Sequence, residues 1–102
     1  MSVVVASPVA VSTNDESARL FKRATVTCAI VNTDSTSVNC RSGPGTGYSI
    51  VNHLTAGSVH SFTCYKKGEC YEGNCTWDKT GNCYVNGYYT DGYCTAAALG
   101  LC

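Results

Sequence analysis

The chain has 102 residues, and its seven basic and seven acidic side chains give a formal net charge of zero. This length favours one small domain, and the balanced charge excludes the strongly basic surface that binds nucleic acid or an anionic membrane. No apolar run approaches the ~20 residues that cross a bilayer. We therefore expect a monomer that uses neither nucleic acid nor membrane as a partner.

Residues 1–23 contain no cysteine and have the pattern of a removable segment. The apolar stretch Val3–Val11 is followed by polar residues and then by the dibasic pair Lys22-Arg23. This order predicts a signal remnant and a propeptide, cut after Arg23 as by the dibasic-cutting secretory proteases of fungi. The alternative is an exposed basic pair in a disordered arm. Cleavage would leave a mature module of residues 24–102.

Eight cysteines, all after the dibasic pair, predict a domain stapled by disulfides. None forms a Cys-x-x-Cys pair or has the zinc spacing with histidine, so we expect no metal site and no cofactor. Dense disulfides indicate an oxidising compartment, and hence a secreted, extracellular protein. About 105 pairings are possible, and only the pairing of Cys70 with Cys75 in one short loop is suggested. The cysteines are Cys28, Cys40, Cys64, Cys70, Cys75, Cys83, Cys94 and Cys102.

The first half of the module alternates as strands do. Residues 24–31 are rich in β-branched side chains, and residues 38–41 place Val38 and Cys40 on one face. Gly43–Gly47 then forces a chain reversal, because Pro44 fixes its own φ and glycine accepts positive φ. Two further strands, 50–54 and 58–65, are predicted to meet as a hairpin across a glycine turn.

The second half is predicted to be a polar loop over residues 66–75, followed by short strands. Those strands are expected at 77–79, 83–86 and 93–95, with a small apolar tail that Cys102 ties down. No segment has a helical period of useful length. Evenly spaced turns predict an all-β fold, either a small barrel or a sandwich.

Two motifs in this order resemble a known family. VNCRSGPGTGYSIV, followed by AGSVHSFTC, is similar to the opening half of a bacterial-type SH3 (SH3b) domain, and WDKTGNCYVNGYY resembles a segment of fungal SH3-like cell-wall-binding domains. Residues 24–95 carry the likeness. It implies a small SH3-like barrel, cysteines at four family positions (Cys28, Cys40, Cys64 and Cys83), and a cell-wall polymer as ligand. The chain departs from the family pattern at Cys70, Cys75 and Asn86-Gly87.

Aromatic side chains are the chemistry available for binding. Tyrosine and tryptophan join a flat apolar face to a polar edge, which suits sugar rings and extended peptides. Several must also fill a core that is poor in Leu, Ile and Phe, and Trp77 and Tyr84 are assigned to that core. Asp78 could accept a ligand hydrogen bond or act as a turn or cross-strand partner for a lysine. The candidate ligand residues are Tyr48, Trp77, Asp78, Tyr88 and Tyr89.

Two further residues have roles that the sequence leaves open. Arg41 is expected to hydrogen-bond the adjacent Gly/Pro turn in preference to a ligand. Asn74-Cys75-Thr76 is the only glycosylation sequon of the module, and it falls in the predicted polar loop.

Catalysis is not expected. A two-carboxylate wall hydrolase needs an acid and a base roughly 5–10 Å apart, yet the module's carboxylates fall in predicted turns or polar loops, away from apolar surroundings that would raise a pKa. Paired cysteines leave no nucleophilic thiol, and no Gly-x-Ser-x-Gly elbow is present. The sequence therefore predicts a secreted, non-catalytic module that binds peptidoglycan or, as second choice, chitin. The alternative of a secreted antimicrobial toxin or host-directed effector differs in target, not in architecture.

Overall fold

The computed structural model describes residues 25–102, which form seven strands and two short helical segments. The predicted leader 1–23 and its processing pair Lys22-Arg23 lie outside the described residues. The strands are β1 (Val26–Ala29), β2 (Ser37–Arg41), β3 (Ile50–Thr55), β4 (Val59–Phe62), β5 (Cys64–Tyr71), β6 (Asn74–Thr80) and β7 (Cys83–Asn86). A 3₁₀ helix (Gly87–Tyr89) follows β7, and helix α1 (Ala96–Leu99) lies near the C-terminus.

The strands form two antiparallel sheets. Strands β1 and β4 pair with each other, and the larger sheet has the order β3-β2-β7-β6-β5. The chain passes between the sheets at Thr63, where the predicted single strand 58–65 divides into β4 and β5. The predicted all-β class is confirmed. Among the described residues the strand pairing does not close into a complete barrel, because β1 and β4 pair only with each other.

The core lies between the two sheets. Val38 and Cys40 of β2 contribute to it from one side and Phe62 of β4 from the other, with Val85 of β7 fully buried among them. Strand side chains alternate between faces, so the residues between these positions point to the other side of the large sheet, which we call the outer face. The outer face carries Asn39, Arg41, Lys66, Trp77, Lys79, Tyr84 and Asn86.

All eight cysteines are paired, which confirms the predicted disulfide-stapled domain. The bridges are Cys28–Cys94, Cys40–Cys83, Cys64–Cys102 and Cys70–Cys75. The short-loop pairing is as predicted, and Cys102 does fix the tail, which runs beside Tyr65 of β5. Four bridges indicate an oxidising, extracellular-type environment. No helix within residues 25–102 is long and apolar enough to cross a membrane.

The predicted polar loop over residues 66–75 is wrong. These residues complete β5 and begin β6, with Tyr71 opposite Asn74. The turn between them places Glu72 at φ 50° and Gly73 at φ 78°, and positive φ at both central residues is typical of the type I′ hairpin turn. Glutamate is an unusual residue for that conformation, so residue type alone does not predict the turn at Glu72.

The predicted strand 93–95 is also wrong. Tyr93 lies in a turn that is closed by the carboxylate of Asp91, which accepts a hydrogen bond from the Tyr93 backbone N–H at 3.0 Å. Thr95 then caps α1 by accepting from the N–H of Ala98 at 3.1 Å, and Gly100 ends the helix at φ 76°. Alanine is the strongest helix former, and a Thr cap with a terminal glycine bounds one turn of helix.

Candidate functional site

The Gly/Pro turn that follows β2 is held by hydrogen bonds from two charged side chains. One guanidinium nitrogen of Arg41 donates to the carbonyl oxygens of Thr46 and Tyr48, at 3.1 and 3.0 Å. The carboxylate of Glu69 accepts from the backbone N–H of Thr46 at 2.7 Å and from its hydroxyl at 2.8 Å. These Thr46 bonds, with Arg41 nearby, lower the pKa of Glu69. The structural role expected for Arg41 is therefore present.

The same turn packs closely against β5. Glu69 donates its backbone N–H to the carbonyl oxygen of Pro44 at 3.1 Å. A Cβ on Gly68 would overlap that carbonyl, so only glycine permits the approach. The turn and β5 consequently form one continuous wall on the outer face of the large sheet.

A pocket of ≈ 240 Å³ opens on the outer face beside this wall. Trp77, Asn39, Arg41 and Asn86 contribute to its sheet side. Trp77 is 3% exposed, and its indole N–H donates to the Glu69 carbonyl oxygen at 2.7 Å, which fixes the ring in place. The pocket is smaller than the ~300–1,000 Å³ of typical drug-sized sites. It has room for one sugar ring or one residue of a longer polymer.

The remaining lining comes from loops and from two tyrosines. Polar side chains of the β1–β2 segment and of the Gly/Pro turn contribute hydroxyl groups. Tyr71, at the end of β5, and Tyr89, in the 3₁₀ helix, supply aromatic surface. The hydroxyl-bearing residues are Thr33 and Ser35 of the β1–β2 segment, Ser37 at the start of β2, and Thr46 of the Gly/Pro turn. Aromatic faces beside hydroxyl and amide groups suit a sugar or peptide ligand.

The two lining tyrosines belong to a cluster of three, which we call the tyrosine cluster: Tyr71, Tyr88 and Tyr89. Ring centroids lie 5.2–5.9 Å apart, within the range of favourable aromatic pairs. The Tyr89 hydroxyl donates to that of Tyr71 at 2.9 Å. Burial, with this hydrogen bond, raises the pKa of Tyr89 to about 12. The Tyr89 phenol is therefore neutral at physiological pH and acts as a hydrogen-bonding group.

The structure brings some of the predicted ligand residues together and separates others. Trp77 and Tyr89 line the pocket, and Tyr88 adjoins it through the tyrosine cluster. Tyr48 is 49% exposed, as expected for a turn residue, but its ring lies over Gly43 and is not part of the pocket lining. The core assignment of Trp77 and Tyr84 holds only for their burial: both side chains are buried, but they lie on the outer face of the large sheet and not in the core cluster between the two sheets.

Asp78 occupies a position that the sequence did not predict. It pairs with Val85 in the ladder and so points to the core side of the sheet, where it is 1% exposed. Its carboxylate accepts from the Thr90 hydroxyl at 2.7 Å, and no lysine partner is involved. Burial raises the pKa of Asp78 to about 6. The expectation that no carboxylate of the module has a raised pKa is therefore wrong.

The Asn86-Gly87 departure from the family pattern has a structural role. The Asn86 side chain accepts from the N–H of Tyr88 at 2.8 Å and donates to the Asn74 carbonyl at 3.0 Å, so it caps the 3₁₀ helix. A Cβ on Gly87 would lie 2.7 Å from the Thr76 hydroxyl. The sequon residue Asn74 accepts from that same hydroxyl at 2.7 Å. Asn74 is thus half-buried in β6 and held by Thr76 and Asn86, not in a free loop.

Sequence reasoning missed Tyr71 as a site residue because it assigned residues 66–75 to a loop. The available signal was the pair Cys70 and Cys75, which lie symmetrically about Glu72-Gly73 and are bridged across the hairpin. Trp77 was found because its indole combines a flat apolar face with a polar edge.

No protein-family model matches this chain, and no curated protein is significantly similar to it. What the protein binds must therefore be argued from its own residues.

Proposed function

We propose that this chain is a secreted, non-catalytic SH3-like module that binds a cell-wall polymer, with peptidoglycan as the first candidate and chitin as the second. The observation that carries the proposal is the small outer-face pocket, where Trp77 and the tyrosine cluster lie beside amide and hydroxyl groups. Its size suits one unit of a polymer whose chain continues across the sheet. The motif resemblance to SH3-like wall-binding domains supports the same ligand class.

A binding role is favoured over hydrolysis by the positions of the carboxylates. Asp78 has the raised pKa that a general acid needs, but it is buried on the core side of the sheet and faces away from the pocket. Glu69 lies beside the pocket, but its carboxylate is engaged by Thr46 and its pKa is lowered. Neither forms an acid and base pair across a cleft.

The test is retention of the purified, disulfide-bonded protein on insoluble peptidoglycan, chitin and β-glucan. Replacing Tyr71 and Tyr89 together by alanine should lower the affinity about tenfold or more, because buried aromatic anchors dominate the energy of such interfaces. Tyr93→Ala is the matched control, since Tyr93 is 75% exposed and is not part of the pocket lining.

Three results would contradict the proposal. Equal retention of the double variant, with its bridges and near-UV circular dichroism intact, would show that the pocket is not the site. Absence of wild-type retention on every wall material would remove wall binding itself. Release of soluble sugar or peptide fragments from the wall material would show that the protein is a hydrolase.

A further inference from the structure

Positive charge is concentrated on the outer face of the large sheet. Of the four Lys and Arg residues in the described part of the chain, Arg41, Lys66 and Lys79 lie on this face. Lys67 is the fourth, and it occupies the next ladder position, opposite Thr76, so its side chain points to the other side. The neutral overall charge therefore conceals a one-sided distribution.

The three cations surround one aromatic ring. The ammonium groups of Lys66 and Lys79 lie 5.3 and 5.9 Å from the centroid of Tyr84, within the ~6 Å range of cation–π attraction. Arg41 is the cross-strand partner of Tyr84. Like charges repel when they are held together, so an anion bound among them would be favoured.

This basic cluster (Arg41, Lys66, Lys79) is continuous with the pocket. Arg41 lines the pocket, and Lys66 is the ladder partner of Trp77 on the pocket floor. One Arg41 nitrogen holds the Gly/Pro turn, but a guanidinium has five N–H donors, so the group keeps donors for a ligand. A polymer unit in the pocket would place its neighbouring unit over the cluster.

The carboxylates on these strands offset the cluster only at Arg41. The ionised Glu69, held by Thr46, attracts Arg41, whereas Asp78 faces the core side of the sheet, away from both lysines. Asp91 accepts from the backbone N–H of Ala29, in the small sheet, at 2.8 Å. Glu72 lies in the β5–β6 turn beside the tyrosine cluster, and Asp34 lies in the β1–β2 segment. The cations are thus available to a ligand.

We propose that the basic cluster is an anion subsite and that the polymer bound in the adjacent pocket carries carboxylate or phosphate groups. This inference rests on the proposed function, because it names the chemical class of that ligand. It separates the two candidate polymers, since peptidoglycan carries carboxylates on its stem peptides whereas chitin is neutral.

The test compares the binding affinity of the protein for four insoluble supports. Three are bacterial sacculi: with their phosphate polymers, stripped of phosphate by hydrofluoric acid, and stripped and then amidated on their carboxylates with methylamine. The fourth is chitin. The Lys66→Gln/Lys79→Gln double variant should lose roughly fivefold in affinity for an anionic support at low salt, and nothing for amidated sacculi. Lys67→Gln should bind as the wild type does. Wild-type binding should weaken as salt shortens the Debye length from about 10 Å at 0.1 M to 3 Å at 1 M.

The supports also identify the anion. Loss of wild-type binding at the stripping step identifies phosphate, and loss at the amidation step identifies carboxylate. Unchanged wild-type binding to stripped, amidated sacculi would overturn the anion subsite while leaving wall binding intact. Unchanged affinity and salt dependence of the double variant would do the same. If the wild type binds none of the four supports, the proposed function and the subsite are overturned together.

Discussion

Replacing Asp78 by asparagine should stabilise the protein at neutral pH. The Thr90 hydroxyl has one proton but two acceptors, the Asp78 carboxylate at 2.7 Å and the Gly87 carbonyl at 3.1 Å. When Asp78 is ionised, the hydroxyl donates to the carboxylate. When Asp78 is protonated, its own O–H donates to the Thr90 oxygen, and Thr90 donates to Gly87. Asparagine reproduces the second arrangement, because its amide N–H donates in place of the acid proton.

The size of the effect follows from the pKa. An aspartate in the unfolded chain has a pKa of 3.8, and burial raises the pKa of Asp78 to about 6 in the folded protein. At 1.36 kcal/mol per pH unit, the difference corresponds to about 3 kcal/mol. The raised pKa means that the folded state holds a proton that the unfolded state has lost. The contribution of Asp78 to the free energy of unfolding is therefore most favourable below about pH 4, falls as the pH rises to about 6, and reaches its full cost above about pH 7.

The assay is guanidinium unfolding of the wild type and Asp78→Asn between pH 3.5 and 8, with the free energies of unfolding subtracted at each pH. Subtraction cancels other groups, including Glu69, whose lowered pKa contributes in the opposite sense and at lower pH. The asparagine variant should gain about 1–3 kcal/mol at pH 7 and nothing near pH 4. Thr90→Val should lose more at pH 7 than at pH 4, because it removes the donor to the carboxylate.

Two results would refute this reasoning. One is a difference between wild type and Asp78→Asn that stays constant across the pH range, because it would show that Asp78 titrates alike in both states. The other is destabilisation by asparagine at pH 7, because it would show that the ionised carboxylate makes a net favourable interaction.

Three further changes test the walls and staples of the site. Gly68→Ala should lower the free energy of unfolding by about 1–3 kcal/mol and open the pocket wall, because the new Cβ would overlap the Pro44 carbonyl oxygen. Gly47→Ala is the control: its Cβ meets open space, so thermal unfolding and binding should be unchanged. Removing the Cys70–Cys75 bridge should lower the free energy of unfolding by about 2 kcal/mol, and removing Cys28–Cys94 by about 4 kcal/mol, because Cys70–Cys75 closes a much shorter loop. Equal losses in denaturant unfolding would contradict this. Trp77→Phe should cost about 1–3 kcal/mol of unfolding free energy by leaving the Glu69 carbonyl without its indole donor, and an unchanged stability would show that water replaces it.

The first half of the fold was predictable because local rules agree with the tertiary structure there. Apolar and polar side chains alternate along β2, and the glycines and proline of Gly43–Gly47 favour a chain reversal. Strand β3 was predicted to within one residue of its observed end. Strand β7 was also predicted with its observed bounds. In each case the side-chain pattern and the turn chemistry specify the same conformation.

The second half was less predictable because its structure depends on contacts distant in sequence. Residues 66–75 are polar enough to read as a loop, yet the Gly/Pro turn, the Cys70–Cys75 bridge and the indole of Trp77 hold them in a hairpin. The burial of Asp78 depends on Thr90, which arrives from beyond the 3₁₀ helix. No local pattern reports such a partner.

The residues of the candidate site could be predicted only in part. Five residues were candidate ligand residues on sequence grounds, and of these Trp77 and Tyr89 line the pocket. Tyr71 was missed with its strand. The basic cluster could not be predicted for a different reason. Net charge sums over all faces of the domain, whereas strand register is needed to show that Lys66 and Lys79 lie on the same face.

The order of the bridges along the chain constrains how the protein is made. Cys28, Cys40 and Cys64 each pair with a cysteine from residues 83–102, which are synthesised later. Because synthesis proceeds from the N-terminus, these three thiols are available for oxidation before their partners exist. Any bond formed among them at that stage is non-native and must be undone by thiol–disulfide exchange. Efficient production should therefore depend on a disulfide isomerase, or on oxidation that is delayed until residues 83–102 have been synthesised.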